Sequence, residues 1–86
     1  MELTAGRIVH VKNADGDCRP AMVVRVWKGM SGAGRDGFNG VVFRDGPTDR
    51  YAGLGVADEL TAWVTSVAEG EGVGLYHDPR GCEQAA

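Results

Sequence analysis

The stretch from residue 18 to 45 constrains the fold more than any other part of this 86-residue chain. It reads as a strand (CRPAMVVRVWK), a loop with four glycines (GMSGAGRDG) and a second strand (FNGVVFRD). Valine-rich runs with period-2 alternation favour extended chain, and the glycines between them permit a reversal. On this alternation Met22, Val24 and Val26 form the core face of the first strand, while Arg25 and Trp27 share the outer one. In the second strand Val41 and Phe43 alternate with Val42 and Arg44, and Phe43 is assigned to the core.

Other segments read in the same way. Arg7 to Lys12 alternates as a strand, and Asp15-Gly16 between it and the next apolar run signals a hairpin turn. Residues 48–57 read as a long loop packed by Tyr51 and Leu54. Asp58 to Ala68 carries both a helical spacing (Leu60, Val64, Val67) and strand formers; strand is chosen because the rest of the chain is extended. Val73 to His77 makes a last short strand, and residues 1–5 and 79–86 are expected to be loosely held. Five short strands and one long loop predict a single all-β domain, a small five-stranded SH3-like or OB-like barrel. Fourteen glycines, about twice the ordinary share, fit many turns between short strands. A domain of this size buries only about 60–65% of its unfolded surface, so homo-oligomerisation is expected to help it.

Charge removes some functions. A net charge of −3 with no basic run lacks the footprint of a duplex nucleic-acid binder. Seven of the nine basic residues are arginine, which suits a planar anion site as well as surface ion pairs. No leader or apolar span is read, no membrane partner is expected, and Cys18 and Cys82 read as free thiols in a reducing compartment, with a disulfide between them the minority alternative.

Several motifs have a plainer reading beside the functional one. Gly32 to Gly37 matches G-x-G-x-x-G, but a strand follows where a dinucleotide site needs a helix. The same loop mimics a P-loop with Arg35 and Asp36 in place of its lysine and hydroxyl residue. A looser anion cradle of backbone N–H groups with Arg35 stays open beside a plain connecting loop. His10 and His77, taken with Ser31, Ser66, Cys18 or Cys82, show no nucleophile–base spacing, so no catalytic residue is assigned. His10, His77 and Asp78 lack ligand spacing, so neither a metal site nor a cofactor is assigned, and a histidine hydrogen-bonded within a strand is favoured. Trp27 beside Arg25 suits either a stacked planar ligand or a subunit interface.

Gly6-Arg7-Ile8-Val9-His10-Val11, Arg19-Pro20-Ala21-Met22-Val23-Val24-Arg25-Val26-Trp27, Thr65-Ser66-Val67 and Tyr76-His77-Asp78-Pro79 occur in this order. The set resembles a family of small uncharacterised tailed-bacteriophage proteins with GRIVHY, R-P-A-I-V-x-x-V-W, T-S-V and W-H-W-P motifs, over residues 6–80. The departures are Tyr76 and Asp78, which replace the two closing tryptophans, so an aromatic shelf there would be half present. The resemblance implies a phage-encoded protein working in the bacterial host cytoplasm or the virion, and supplies no activity. Two expectations follow. One is a non-enzymatic protein sequestering a nucleotide-derived bacterial immune signal through Arg25, Trp27, Arg35 and His77; the other is a module docking on a host or virion protein.

Overall fold

The computed structural model describes residues 2–30, 35–46, 54–57 and 60–82, and of 54–57 the backbone. Six strands lie in one sheet: β1 (Ile8–Lys12), β2 (Cys18–Trp27), β3 (Gly37–Phe43), β4 (Leu54–Ala57), β5 (Thr61–Val67) and β6 (Tyr76–His77). Their spatial order is β4-β5-β3-β2-β1-β6, and every neighbouring pair is antiparallel. A single 3-10 turn, Pro79–Gly81, follows β6. The all-β class read from the sequence holds, and Asp58 to Ala68 resolves as strand over Thr61–Val67.

The β1–β2 hairpin turns where Asp15-Gly16 signals it. Asn13 is buried, and its Oδ1 accepts from the backbone N–H of Asp15 and of Asp17, both at 2.9 Å. That is an Asx turn, in which a side chain supplies the acceptor that a backbone carbonyl would supply elsewhere. Gly16 sits at φ +86°, a conformation glycine adopts without Cβ strain.

Two bulges set which side chains face inward. In β2 the register moves from Val23 opposite Gly40 to Arg25 opposite Asn39, so Val24 is the extra residue. A bulge inserts one residue and so reverses the facing of everything beyond it. Before it Ala21 and Val23 point into the core; after it Val26 does. The expected core face of Met22, Val24 and Val26 is therefore corrected. Met22 and Val24 lie outside, because strict alternation cannot be carried through a bulge. A matching shift in β5 lies between Val64 and Val67, which pair with Gly40 and Phe38. Ser66 adopts φ +54° there, and both valines remain inward.

The inner face of β3 is Phe38, Gly40 and Val42; Phe43, expected in the core, is 42% exposed on the outer face. A Cβ on Gly40 would strike the Met22 carbonyl oxygen and the Phe38 ring, so the missing side chain is what admits Phe38. Leu3, Val9, Val11, Ala21, Val23, Phe38, Val42, Ala62, Val64, Val67 and Tyr76 form the core. Among the described residues no second layer covers this face, so the sheet must coil on itself to bury it. The chain after β5 helps: Tyr76 N–H donates to the Ala68 carbonyl at 3.0 Å, and Gly70 N–H donates to the Tyr76 carbonyl at 2.9 Å. Contact there amounts to one isolated parallel bridge between Glu69 and Tyr76, so the sheet is not closed by a full ladder.

Three further expectations change. Leu54–Ala57 is a strand on the edge of β5 and not loop, four residues being too few for a visible period; residues 48–53, with Tyr51, lie outside the described residues. The last strand covers only Tyr76 and His77, while Val73 makes an isolated parallel bridge with Lys12. The segments expected to be loose are in part tied down. Leu3 is in the core, Gly6 N–H donates to the Val23 carbonyl at 2.7 Å, and Cys82 is buried after the 3-10 turn. The central glycines of the 29–37 loop, residues 32 and 34, lie outside the described residues.

Candidate metal centre and outer face

The strongest concentration of chemistry lies where β6, β1 and β2 meet. His10 pairs with His77 across the β1–β6 ladder, which puts the two side chains on one side of the sheet. Val11 and Tyr76, next along, take the other side and enter the core. Lys12 pairs with Cys18 and His10 with Pro20, so Cys18 is the diagonal neighbour of His10 on that same outer side. The 3-10 turn then carries Cys82 back over this corner. One nitrogen of each ring and the two sulfurs all lie within 4.8 Å of one another.

The turn is built to hold this position. Asp78 caps it, with Oδ1 accepting from Arg80 N–H at 2.9 Å. Arg80 grips the same carboxylate with Nε at 3.1 Å and Nη2 at 2.7 Å, and Arg7, just before β1, reaches it at 3.4 Å. The Arg80 guanidinium first, then its backbone N–H, holds the Asp78 carboxyl well below the usual carboxylate range. Cys82 N–H closes the turn on the Pro79 carbonyl at 3.1 Å.

Within the cluster Cys18 Sγ is 3.6 Å from His77 Nε2 and 2.8 Å from Cys82 Sγ, and neither cysteine is in a disulfide. The rings of His10 and His77 meet edge to face at 5.8 Å. Each ring leaves Nδ1 buried and without a hydrogen-bond partner, and His77 as a whole is only 7% exposed. An orphaned buried ring nitrogen calls for an explanation. Burial, followed by the neighbouring His77, lowers the His10 pKa. Burial, followed by the Cys82 thiol, pushes the Cys18 thiol up to about 11.

The four side chains singled out from the sequence do not converge. Arg25 and Trp27 do meet: the guanidinium carbon lies 4.0 Å above the indole centroid, on the outer face as expected. Trp27 Nε1 donates to Asn39 Oδ1 at 2.9 Å, which fixes the ring. Arg35 is exposed just before β3. His77 belongs to the buried corner with His10, and Tyr76, which stands where a ligand shelf was considered, is a core residue packed edge to face on Phe38 at 5.4 Å. Sequence reasoning passed over His10, Cys18 and Cys82 as a set. The signal was there in two parts: His77 and Cys82 are separated by four residues, a metal-ligand spacing, and His10 and Cys18 flank a recognised hairpin turn.

A second feature is an apolar row across the outer face. Ile8 pairs with Met22, Met22 with Val41 and Val41 with Trp63, which crosses β1, β2, β3 and β5 in one line. Ile8 is 41%, Met22 39% and the neighbouring Val24 49% exposed, with Phe43 beside them. No helix of the described residues is long and apolar enough to cross a membrane.

Compared with family models, curated proteins and solved structures, the chain matches none of them. Its reading therefore rests on its own residues.

Proposed function

We propose that this chain is a non-enzymatic binding module whose working surface is the outer apolar row, and that the occupant of that row is a second copy of the chain. The observation that carries this is the alignment of Ile8, Met22, Val41 and Trp63 in one register line, with Val24 and Phe43 exposed beside it. Contiguous apolar surface rimmed by polar residues marks an interaction site. A row with no charged residue in it needs no partner of complementary charge, and a two-fold axis can pair it with itself. A domain this small gains buried surface from such pairing.

Sedimentation equilibrium tests the proposal. The wild-type chain is expected to be dimeric and Met22→Glu monomeric with an unchanged far-UV spectrum. A monomeric wild type at high micromolar concentration overturns it.

A second reading keeps a nucleotide ligand. Arg25 stacked on Trp27 presents a planar cationic and aromatic surface, and Arg35 supplies another fork for phosphate. His77 drops out of this set because it is buried. A ligand bound only by the folded state raises the melting temperature in a saturable way, so a panel of cyclic and ADP-ribose-like nucleotides tests it against wild type and Trp27→Ala. The resemblance to phage proteins supports a setting in the bacterial host cytoplasm, where a nucleotide immune signal or a host or virion protein would be met.

A further inference from the structure

We propose that His10, Cys18, His77 and Cys82 form a structural zinc site that fastens β6 and the 3-10 turn to the β1–β2 hairpin. Donor chemistry, geometry and charge each support it, independently of what the outer row binds.

Two imidazole nitrogens and two thiolates are a tetrahedral zinc donor set, and four protein ligands leave no open position for substrate. Bond lengths of about 2.3 Å to sulfur and about 2.0–2.1 Å to nitrogen give a sulfur–nitrogen edge of about 3.6 Å in a regular tetrahedron. Cys18 Sγ and His77 Nε2 are already 3.6 Å apart. The corresponding sulfur–sulfur edge is about 3.8 Å, so the two sulfurs, now 2.8 Å apart, must separate by about 1 Å. The four ligands come from four elements: β1 for His10, β6 for His77, the start of β2 for Cys18, and the end of the turn for Cys82. Three of the positions are set by sheet register, and the fourth by the Asp78 cap and its arginines.

Charge balances as well. Zinc binding releases one proton from each thiol, and a dication with two thiolates and two neutral imidazoles is electrically neutral. A neutral centre suits a corner where His77 and Cys82 are buried, whereas an isolated charge would not be tolerated there.

The experiment uses the full chain, stripped by chelator under reducing conditions and titrated with zinc, then with cobalt as a spectroscopic substitute. One zinc per chain is expected, together with the intense visible bands and the thiolate charge-transfer absorption of tetrahedral cobalt. Cys82→Ser removes one ligand outside the strands, and should weaken zinc by more than the about 10–100-fold that loss of an outer-shell partner costs. It should also reduce the charge-transfer band. His10→Gln, folded by circular dichroism, should weaken it to a similar degree. Lys28→Ala, away from the corner, should leave zinc affinity unchanged. Sub-stoichiometric zinc in the wild type, unchanged affinity in Cys82→Ser, or octahedral cobalt spectra would each overturn the proposal. So would a Cys18–Cys82 disulfide that persists in reductant and excludes metal.

Discussion

Trp27 donates its indole N–H to the Asn39 side-chain oxygen, 2.9 Å away on the neighbouring strand. The same oxygen accepts the backbone N–H of Ser66 at 2.8 Å, from the strand on the other side. Asn39 thus sits between the bulges of β2 and β5 and occupies the donor that the second bulge leaves without a ladder partner. Asn39→Ala removes both bonds and is expected to cost about 1–2 kcal/mol in urea unfolding. It should also free the indole, seen as a change in Trp27 fluorescence anisotropy. A loss below about 0.3 kcal/mol would mean the contact is incidental.

Ser66 carries the other half of that arrangement, since it holds φ +54°. A non-glycine residue there costs about 1–2 kcal/mol, whereas glycine adopts the region freely and loses some of the gain to unfolded-state entropy. Ser66→Gly is expected to unfold at equal or slightly higher urea concentration than wild type. Ser66→Val, branched at Cβ, should lose more than about 1 kcal/mol. Equal stability of the two variants would contradict the left-handed bulge.

What could be read from the sequence follows from which interactions are local. Strand positions were visible because alternation and turn residues lie within a few positions of one another, as at Ile8–Lys12 and Asn13–Asp17. Facing was lost at Val24 because one inserted residue reverses the pattern, and nothing local in VVRV marks it. Phe43 went to the wrong side for a related reason: Val41 and Val42 put a valine on each face, so the short VVF run does not by itself choose a side. The metal corner was hidden by sequence distance. Cys18 and His77 are 59 residues apart and Cys18 and Cys82 are 64 apart, so only the β1–β6 ladder brings them together.

Acid should act on the turn after β2 in a defined direction. Asp36 accepts the Gly29 N–H at 2.9 Å and the Lys28 ammonium at 3.1 Å, and these lower its pKa below the ordinary 3.8, the Gly29 bond most. A carboxyl with a depressed folded-state pKa contributes stability above its unfolded pKa and loses it as pH falls through the folded value. The stability difference between wild type and Asp36→Asn should therefore be constant from pH 7 to about pH 5. It should shrink below about pH 4, where the unfolded carboxyl takes up its proton. Urea melts of both proteins at intervals down to pH 2.5 measure this. A difference that grows in acid would reverse the sign assigned to Asp36.

Exchange of backbone amides should separate the sheet into two stabilities. β6 is two residues long, and its Tyr76 N–H reaches the Ala68 carbonyl outside any ladder. β3 lies between β2 and β5 with ladders on both sides. Short elements held by few backbone bonds open at low free energy, while central strands open only with the whole fold. In the metal-free chain the amide of Tyr76 is therefore expected to exchange faster than those of central β3. Zinc should slow Tyr76 and Cys82 selectively, because ligands on β1, β2, β6 and the turn then have to separate before β6 can lift. Uniform slowing of β3 and β6 together would instead mean that metal reports only on global stability, with β6 and the turn already part of the same cooperative unit.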